Sequence, residues 1–337
     1  MKFGAIGIDH LHIYGMSQHL INAGGKFTSW WSKGTPNPLA GFLKRFPDVP
    51  RKDHAGDVLN DPDIEMILIA CIPKDRASWA IRAMEAGKDV MVDKPGCTTL
   101  AELAQIKEVA ARTGRIWSVN YSERFEVPCV TKAAALVAEG AIGRVVQTLG
   151  IGPHRHNPHM RDPWFYQPEA FGGILTDIGS HQIDQFLFFT GSQDAEIKHA
   201  SVANYANPKT PNMQDYGELS IQSPNGHGFV RVDWYTPDAL PTWGDGRLTI
   251  LGTEGYIELR KYFEAGEKRT DTLLLVNGTS CQKIDASNAG LPYFSNLIQD
   301  VAQRTETAMP QKHCFKVMEL AIKAQILADE NIREQAT

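Results

Sequence analysis

The chain lacks a long apolar run: its longest stretches, such as Ile64–Pro73, fall far short of the ~20 residues that a membrane span needs. It also lacks paired cysteines. Cys71, Cys97, Cys129, Cys281 and Cys314 are scattered, odd in number and without a C-x-x-C pair, the usage of reduced thiols in a cytoplasmic protein. The Asn277-Gly278-Thr279 sequon then reads as accidental. No block of one charge occurs. Lys and Arg number 34 against 39 Asp and Glu, a net charge of −5, so neither nucleic acid nor a membrane surface is an expected partner. The opening Met1–Gly7 is strand-like and has no secretory apolar region. Repeats and low-complexity segments are absent too. What remains is 337 residues, 42% hydrophobic and 22% charged: too long for one ordinary core, comfortable for two, and too apolar for general disorder.

The first part of the chain alternates short apolar runs with helical periodicity, the pattern of a parallel sheet covered by helices. Strands are predicted at Phe3–Ile8, Phe27–Trp31, Met66–Ile72, Val90–Asp93 and Ile116–Asn120. Ile13, Met16, Leu20 and Ile21 share one helical face, and Gly24-Gly25 stops that helix. Another helix carries Leu100, Leu103, Ile106, Val109 and Ala110, with Thr98 or Thr99 as N-cap and Gly114 as stop. This is a doubly wound unit over residues 1–121, of the size of a nucleotide-binding domain. Residues 122–337 read differently. Helices are expected at about 128–139, 173–190 and 315–332, with a strand at 145–151. A run of strands follows at 200–205, 217–222, 226–235, 247–251, 256–259 and 272–276. That is an α+β domain with an open, largely antiparallel sheet.

In a doubly wound fold the first strand-to-helix turn receives a pyrophosphate on the helix N-terminus. Here it is Gly7-Ile8-Asp9-His10-Leu11-His12. Only the first glycine of G-x-G-x-x-G stands, with Asp9 and His12 in the other two places. Gly7, Ile8, Asp9 and His10 are the cofactor candidates of this turn, against the alternative of an ordinary tight turn. After the second strand an acid would mark NAD. The chain instead has Ser32 and Lys33, which suit a 2′-phosphate and lean the cofactor toward NADP, the alternative being that Lys33 is a solvated loop lysine. Ile72, which ends the third predicted strand, and Pro73 after it complete that edge.

Val92-Asp93-Lys94-Pro95 ends the fourth strand, and a lysine at a strand's carboxyl end faces the ligand crevice, where it could bond a substrate hydroxyl, although on position alone a surface lysine is the simpler alternative. Asp177, His181 and Asp184 are spaced i, i+4, i+7 on an otherwise apolar helix, so the three are expected on one stripe. Asp177 could orient His181 as an acid–base pair; spacing alone equally allows a structural cluster.

Two segments carry a family resemblance. Ala86-Gly87-Lys88-Asp89-Val90-Met91-Val92-Asp93-Lys94-Pro95 resembles A-G-K-x-V-x-x-E-K-P, and Gly172-Gly173-x-x-x-Asp177-x-Gly179-x-His181-x-x-Asp184 resembles G-G-x-x-x-D-x-G-x-H-x-x-D. Gly140-Ala141-Ile142-Gly143 and Leu251-Gly252-Thr253-Glu254-Gly255 match two further signatures, in the expected order over residues 1–260. Together they are similar to the glucose–fructose oxidoreductase/inositol dehydrogenase/MocA (Gfo/Idh/MocA) family. The resemblance implies a Rossmann domain, an open-sheet C-terminal domain, and NAD(P)-dependent redox chemistry on a sugar, sugar acid or polyol. It implies Lys94, Asp177 and His181 as the catalytic group, Asp93 and Lys94 beside the cofactor, and homo-oligomers (dimer or tetramer). The chain departs from the family in four places: Asp93 for glutamate, the eroded glycine turn, Pro73-Lys74-Asp75-Arg76-Ala77 where many members have P-N-x-x-H, and no acid after the second strand.

Residues 153–166 are rich in His, Arg and aromatics. Arg155, His156 and Arg161 offer directional donors, Trp164 and Tyr166 flat faces, and Asp184 a carboxylate, a set suited to a sugar; Trp234, Trp243, Asp245 and Arg247 form a second lining. The alternative is a polar surface loop. The loop's histidines have no accompanying cysteine or H-E-x-x-H helix, so no metal site is expected. Two rival functions share this reading: a transient-redox enzyme with a retained cofactor, acting in glycoside cleavage, elimination or epimerisation, and a non-catalytic nucleotide sensor.

Overall fold

A computed structural model describes residues 1–266 and 271–335, with side chains of the last helix described through Ile332. Its contacts divide the chain into two compact units. The first gathers Met1–Asn120, Pro158–Gly172 and Pro292–Met318, and the second Tyr121–Asn157, Gly173–Leu291 and Glu319–Thr337. Where the sequence suggests one cut, at 121/122, the contacts thus gather separated segments into each unit.

The first unit is a five-stranded parallel sheet: β1 Lys2–Ile6, β2 Lys26–Trp31, β3 Met66–Ile69, β4 Asp89–Asp93 and β5 Trp117–Asn120, in the order β2-β1-β3-β4-β5. β3 is apolar and buried at all four positions, as a strand with both faces covered must be. β1 ends two residues before the expected Ile8 because Gly7 turns the chain at φ +73°. The order reverses between β1 and β3, and ligands of such sheets bind in the crevice at the strands' carboxyl ends at that reversal. Thr99 caps the helix Leu100–Thr113 as expected. Its hydroxyl accepts the Glu102 N–H at 3.2 Å, the Glu102 carboxylate accepts the Thr99 N–H at 3.0 Å, and Gly114 ends the helix at φ +64°.

Two segments distant in sequence complete this unit. In Pro158–Gly172, Phe165 is buried against the Arg161 guanidinium, and the Asn37 side chain and N–H reach Met160 and Asp162 at 3.3 Å each. The helix Pro292–Gln303 buries Tyr293, Phe294, Leu297 and Val301, and Tyr293 shares a 2.7 Å hydroxyl hydrogen bond with Ser118. The sequence reading missed that helix, although its apolar spacing was visible.

The second unit carries an eight-stranded sheet of β6 Val145–Pro153, β7 Glu196–Ala203, β8 Tyr216–Ser223, β9 Gly226–Asp233, β10 Arg247–Gly252, β11 Gly255–Arg260, β12 Thr272–Asn277 and β13 Cys281–Asp285. Its order is β13-β12-β11-β10-β6-β9-β8-β7, antiparallel throughout except for the β6–β9 pair. The helix Pro128–Ala138 buries Val130 and Leu136 in a core with Ile250, Ile257, Leu259 and Leu275. β13 was not anticipated: it is a mostly exposed edge strand whose Gln282, Lys283 and Asp285 give no apolar alternation.

The segment expected as one α-helix over 173–190 is divided. Gly172 and Gly173 are left-handed at φ +88° and +87°, Leu175–Gly179 forms a π turn, and a regular helix runs only over Ser180–Thr190. A Cβ on Gly173 would lie 2.2 Å from the Gln325 side chain, whose oxygen accepts the Leu175 N–H at 3.0 Å. Among the described residues no helix is long and apolar enough to cross a membrane.

Candidate functional site

In the first unit, the ends of β2 and β3 hold the turn after β1. The Gly7 N–H reaches Trp31 O at 2.8 Å, the Ile8 N–H reaches the Ser32 hydroxyl at 3.3 Å, and the His10 N–H reaches Ala70 O at 3.0 Å. A Cβ on Gly7 would sit 2.3 Å from that of Cys71, so only glycine fits where β1 and β3 approach. Asp9 lies within the turn. Burial pushes its carboxyl up to about 6, against the pull of the Arg76 guanidinium and with a push from Asp162.

Asp93 is the hub of this edge. Its fully buried carboxylate meets His12 Nδ1 at 2.8 Å, Arg76 Nη2 at 2.9 Å and His10 Nδ1 at 3.0 Å. Burial opposes the charge, but His12, Arg76 and His10 hold the carboxyl well below its usual range. Burial likewise lowers His10 to about 3, even though Asp93 pulls the other way. Arg76 is itself enclosed. It donates to the carbonyls of Cys71 (2.9 Å), Asp93 (3.0 Å), Lys94 and Pro95 (3.0 Å), and so fixes the turn that carries the buried Lys94. Beyond β2, Lys33 is exposed, and Arg51 donates to the carbonyls of Ser32 (2.9 Å) and Gly34 (3.2 Å) while lying 5.2 Å over the Trp30 ring.

In the second unit Asp177 belongs to the π turn and His181 to the first turn of the helix that follows, both buried. The Tyr121 ring meets the His181 ring edge-on at 6.2 Å. Beside them Glu123 accepts from Lys261 Nζ at 2.6 Å and Gln182 Nε2 at 2.7 Å. Burial opposes its charge, while Lys261, His181 and His154 hold it down at about 2. Asp184 is paired instead: both of its oxygens, fully buried, accept from the partly buried Arg124 guanidinium, at 2.6 and 2.7 Å.

The substrate candidates separate. Arg161, Trp164 and Tyr166 group with the first unit; Arg155, His156 and Asp184 group with the second. Arg155 donates to the carbonyls of Pro237 (2.8 Å) and Leu240, so it secures that loop. The second lining is also spent on structure: Trp243 and Trp234 pack on His154 at 4.5 and 5.4 Å, and Arg247 pairs with Asp245. Among the described residues the histidines of 154–159 join no metal-ligand group. One such group is present among them, His10, His12 and Asp93, with ligand atoms all within 4.8 Å of one another. Sequence reasoning missed His12, Arg76, Arg51, Glu123 and Lys261. His12 and Arg76 stood in segments already marked as departures; for the other three no local signal exists.

A parallel sheet with a glycine-led turn at its reversal, followed by an α+β unit carrying a buried Asp and His on one broken helix, is the framework of a dinucleotide-binding oxidoreductase. Two family models match: "Oxidoreductase family, NAD-binding Rossmann fold" over residues 17–121 and "GFO/IDH/MocA C-terminal domain" over residues 130–258. The chain belongs to the Gfo/Idh/MocA oxidoreductase family. The crystal structure of a putative oxidoreductase from Erwinia carotovora atroseptica SCRI1043 is 44% identical, covers 97% of this chain and 98% of its own, and superposes with a TM-score of 0.94. The scyllo-inositol 2-dehydrogenase (NADP(+)) IolW of Bacillus subtilis (strain 168) is 28% identical over 306 residues, 78% of this chain and 81% of IolW. The uncharacterized oxidoreductase YdgJ of Escherichia coli (strain K12) is 32% identical over 148 residues, so the match spans 43% of this chain and 42% of YdgJ.

Proposed function

We propose that this oxidoreductase moves a hydride between NAD(P) and a carbinol carbon of a sugar, sugar acid or polyol. The observation that carries the reading is the Arg76 clamp, which fixes Lys94 at the carboxyl end of β4 through three consecutive carbonyls and the Asp93 carboxylate. The chain fits a dinucleotide at the sheet's reversal. Gly7 leaves no room for a side chain, and the helices His12–Asn22 and Pro73–Glu85 both begin at that edge, where their N-termini favour phosphate. Arg51 beside Ser32 and Lys33 supports the lean toward NADP. The nicotinamide, when bound, supplies the hydride acceptor or donor.

In this reading His181, oriented by Asp177, takes the hydroxyl proton during oxidation. Lys94 stabilises the developing oxyanion or shares the proton relay. Trp164 and Tyr166 offer apolar faces to a sugar ring, with Arg161 and His156 as donors. Asp184 is consumed by Arg124 and drops out. That the substrate is a carbohydrate is supported by the name of IolW, which assigns scyllo-inositol to that protein. His181→Ala and Lys94→Ala, assayed with NADH, NADPH and a panel of polyols and sugar acids, are each expected to lower kcat by about 10²–10⁴-fold with the fold retained. Full turnover with an unchanged pH profile in both variants would overturn the assignment.

A further inference from the structure

We propose that His10, His12 and Asp93 bind one divalent transition-metal cation of the zinc class, held inside the turn after β1. The donor set is two imidazoles and one carboxylate, without thiolate, which suits zinc and its first-row neighbours better than magnesium or calcium. Asp93 stands 81 positions beyond His12 and 83 beyond His10, and the three converge because the turn after β1 crosses the carboxyl end of β3, its His10 N–H reaching Ala70 O at 3.0 Å, and so meets the end of β4. His12 Nδ1 stands 2.8 Å from one carboxylate oxygen and His10 Nδ1 stands 3.0 Å from the other. Ligand atoms each about 2.0–2.2 Å from a tetrahedral ion lie roughly 3.3–3.6 Å apart, so the imidazoles admit the ion by swinging outward by about half an ångström.

The surroundings resemble those of a ligand shell. Arg76 reaches Asp93 from the helix Pro73–Glu85 at 2.9 Å and is locked by four carbonyls, which fixes the carboxylate as outer hydrogen bonds do in metal centres. The two imidazoles pack edge to face, with centroids 4.3 Å apart and planes at 82°, so both present Nδ1 to the same carboxylate. Their side chains keep 17% and 26% exposure, which gives an ion a way in, whereas Asp93 has none. Three protein ligands leave a position open for water or another oxygen ligand. Two of the departures from the family pattern, His12 in place of the last glycine of the turn and Asp93 in place of the glutamate, thereby acquire one common purpose. If the dinucleotide reading holds, the open position lies at the edge where a cofactor oxygen would arrive; the ion site itself does not depend on that reading.

The test is a titration of chelator-dialysed, full-length protein with Zn²⁺ by calorimetry and with Co²⁺ by visible absorption, without nucleotide. One equivalent per chain is expected, with Co²⁺ bands that Zn²⁺ displaces. His12→Ala and His10→Ala should each abolish it, and Arg76→Lys should weaken it by about 10–100-fold. His227→Ala, an exposed histidine on β9, should leave it unchanged. His12→Gln keeps an amide able to bond Asp93 and tests the ligand should the alanine variant fail to fold. Sub-stoichiometric binding by the unaltered protein, or binding that survives His12→Gln and His10→Ala intact, overturns the proposal and leaves the three side chains a closed hydrogen-bonded network. Because no nucleotide is present, failure here is separate from failure of the dehydrogenase reading.

Discussion

The two units present their candidate reactive groups by opposite means. The first uses turns at the ends of parallel strands: Gly7–His12 is held by Trp31, Ser32 and Ala70, and the turn that follows Asp93 is pinned by one buried guanidinium. The second uses a helix, distorted where Asp177 sits, and surrounds it with buried pairs, Glu123–Lys261 and Arg124–Asp184. A turn has no internal hydrogen-bond ladder, so its shape must come from side chains reaching in. A helix supplies its own ladder, and its side chains are left to settle charge. The Arg76 clamp is therefore a backbone device, while Lys261 is an electrostatic one.

Removing each device separates the two cases. Arg76→Met leaves Asp93 without its guanidinium and strips four carbonyls of a donor, so denaturant unfolding should show a loss of about 5 kcal/mol or more. Lys261→Met removes one partner of one carboxylate and should cost about 3–5 kcal/mol in the same assay. An equal loss from the two would end the distinction.

Acid sharpens the electrostatic side. Glu123 is held at about 2 in the folded chain against an ordinary 4.5, so its contribution is complete above pH 4.5 and is lost as pH falls toward 2. That difference is worth roughly 3 kcal/mol, to be read as the part of the urea-midpoint slope below pH 4.5 that disappears in Glu123→Gln.

Smaller effects test the turns. Gly7→Ala forces a left-handed residue and a collision with Cys71, and should cost about 2–3 kcal/mol in thermal unfolding, together with dinucleotide binding. Gly114→Ala meets the same φ penalty with nothing within 4 Å and should cost about 1 kcal/mol. Thr99→Ala, which removes only a cap, should also cost about 1 kcal/mol, visible as a small shift of the unfolding midpoint.

Most of the first unit was legible because its signals are local. Met66–Ile69 is an uninterrupted apolar run, Thr99 and Glu102 sit at capping-box spacing, and Gly114 stands where a helix must stop. In the second unit the strands from β7 to β12 were legible by alternation. β13 was not, because an exposed edge has no apolar face to alternate. The i, i+4, i+7 spacing did not announce the local geometry. The spacing argument assumes 3.6 residues per turn, whereas Leu175–Gly179 is a wider π turn, and Asp184 met an arginine 60 positions away that no periodicity announces.

Local pattern was enough for the layered α/β and α+β character and for the strand and helix identities along most of the chain, and the family motifs were enough for the candidacy of Lys94, Asp177 and His181. These follow from periodicities, caps and motifs that act within a few residues. The tertiary structure alone decided which charges are spent. Arg76 holds a turn, Asp184 is neutralised by Arg124, Glu123 is kept ionised by Lys261, and His10 and His12 converge on Asp93. Each of those outcomes depends on which side chains meet where water is excluded, and only the folded chain brings partners so far apart in sequence to within 3 Å.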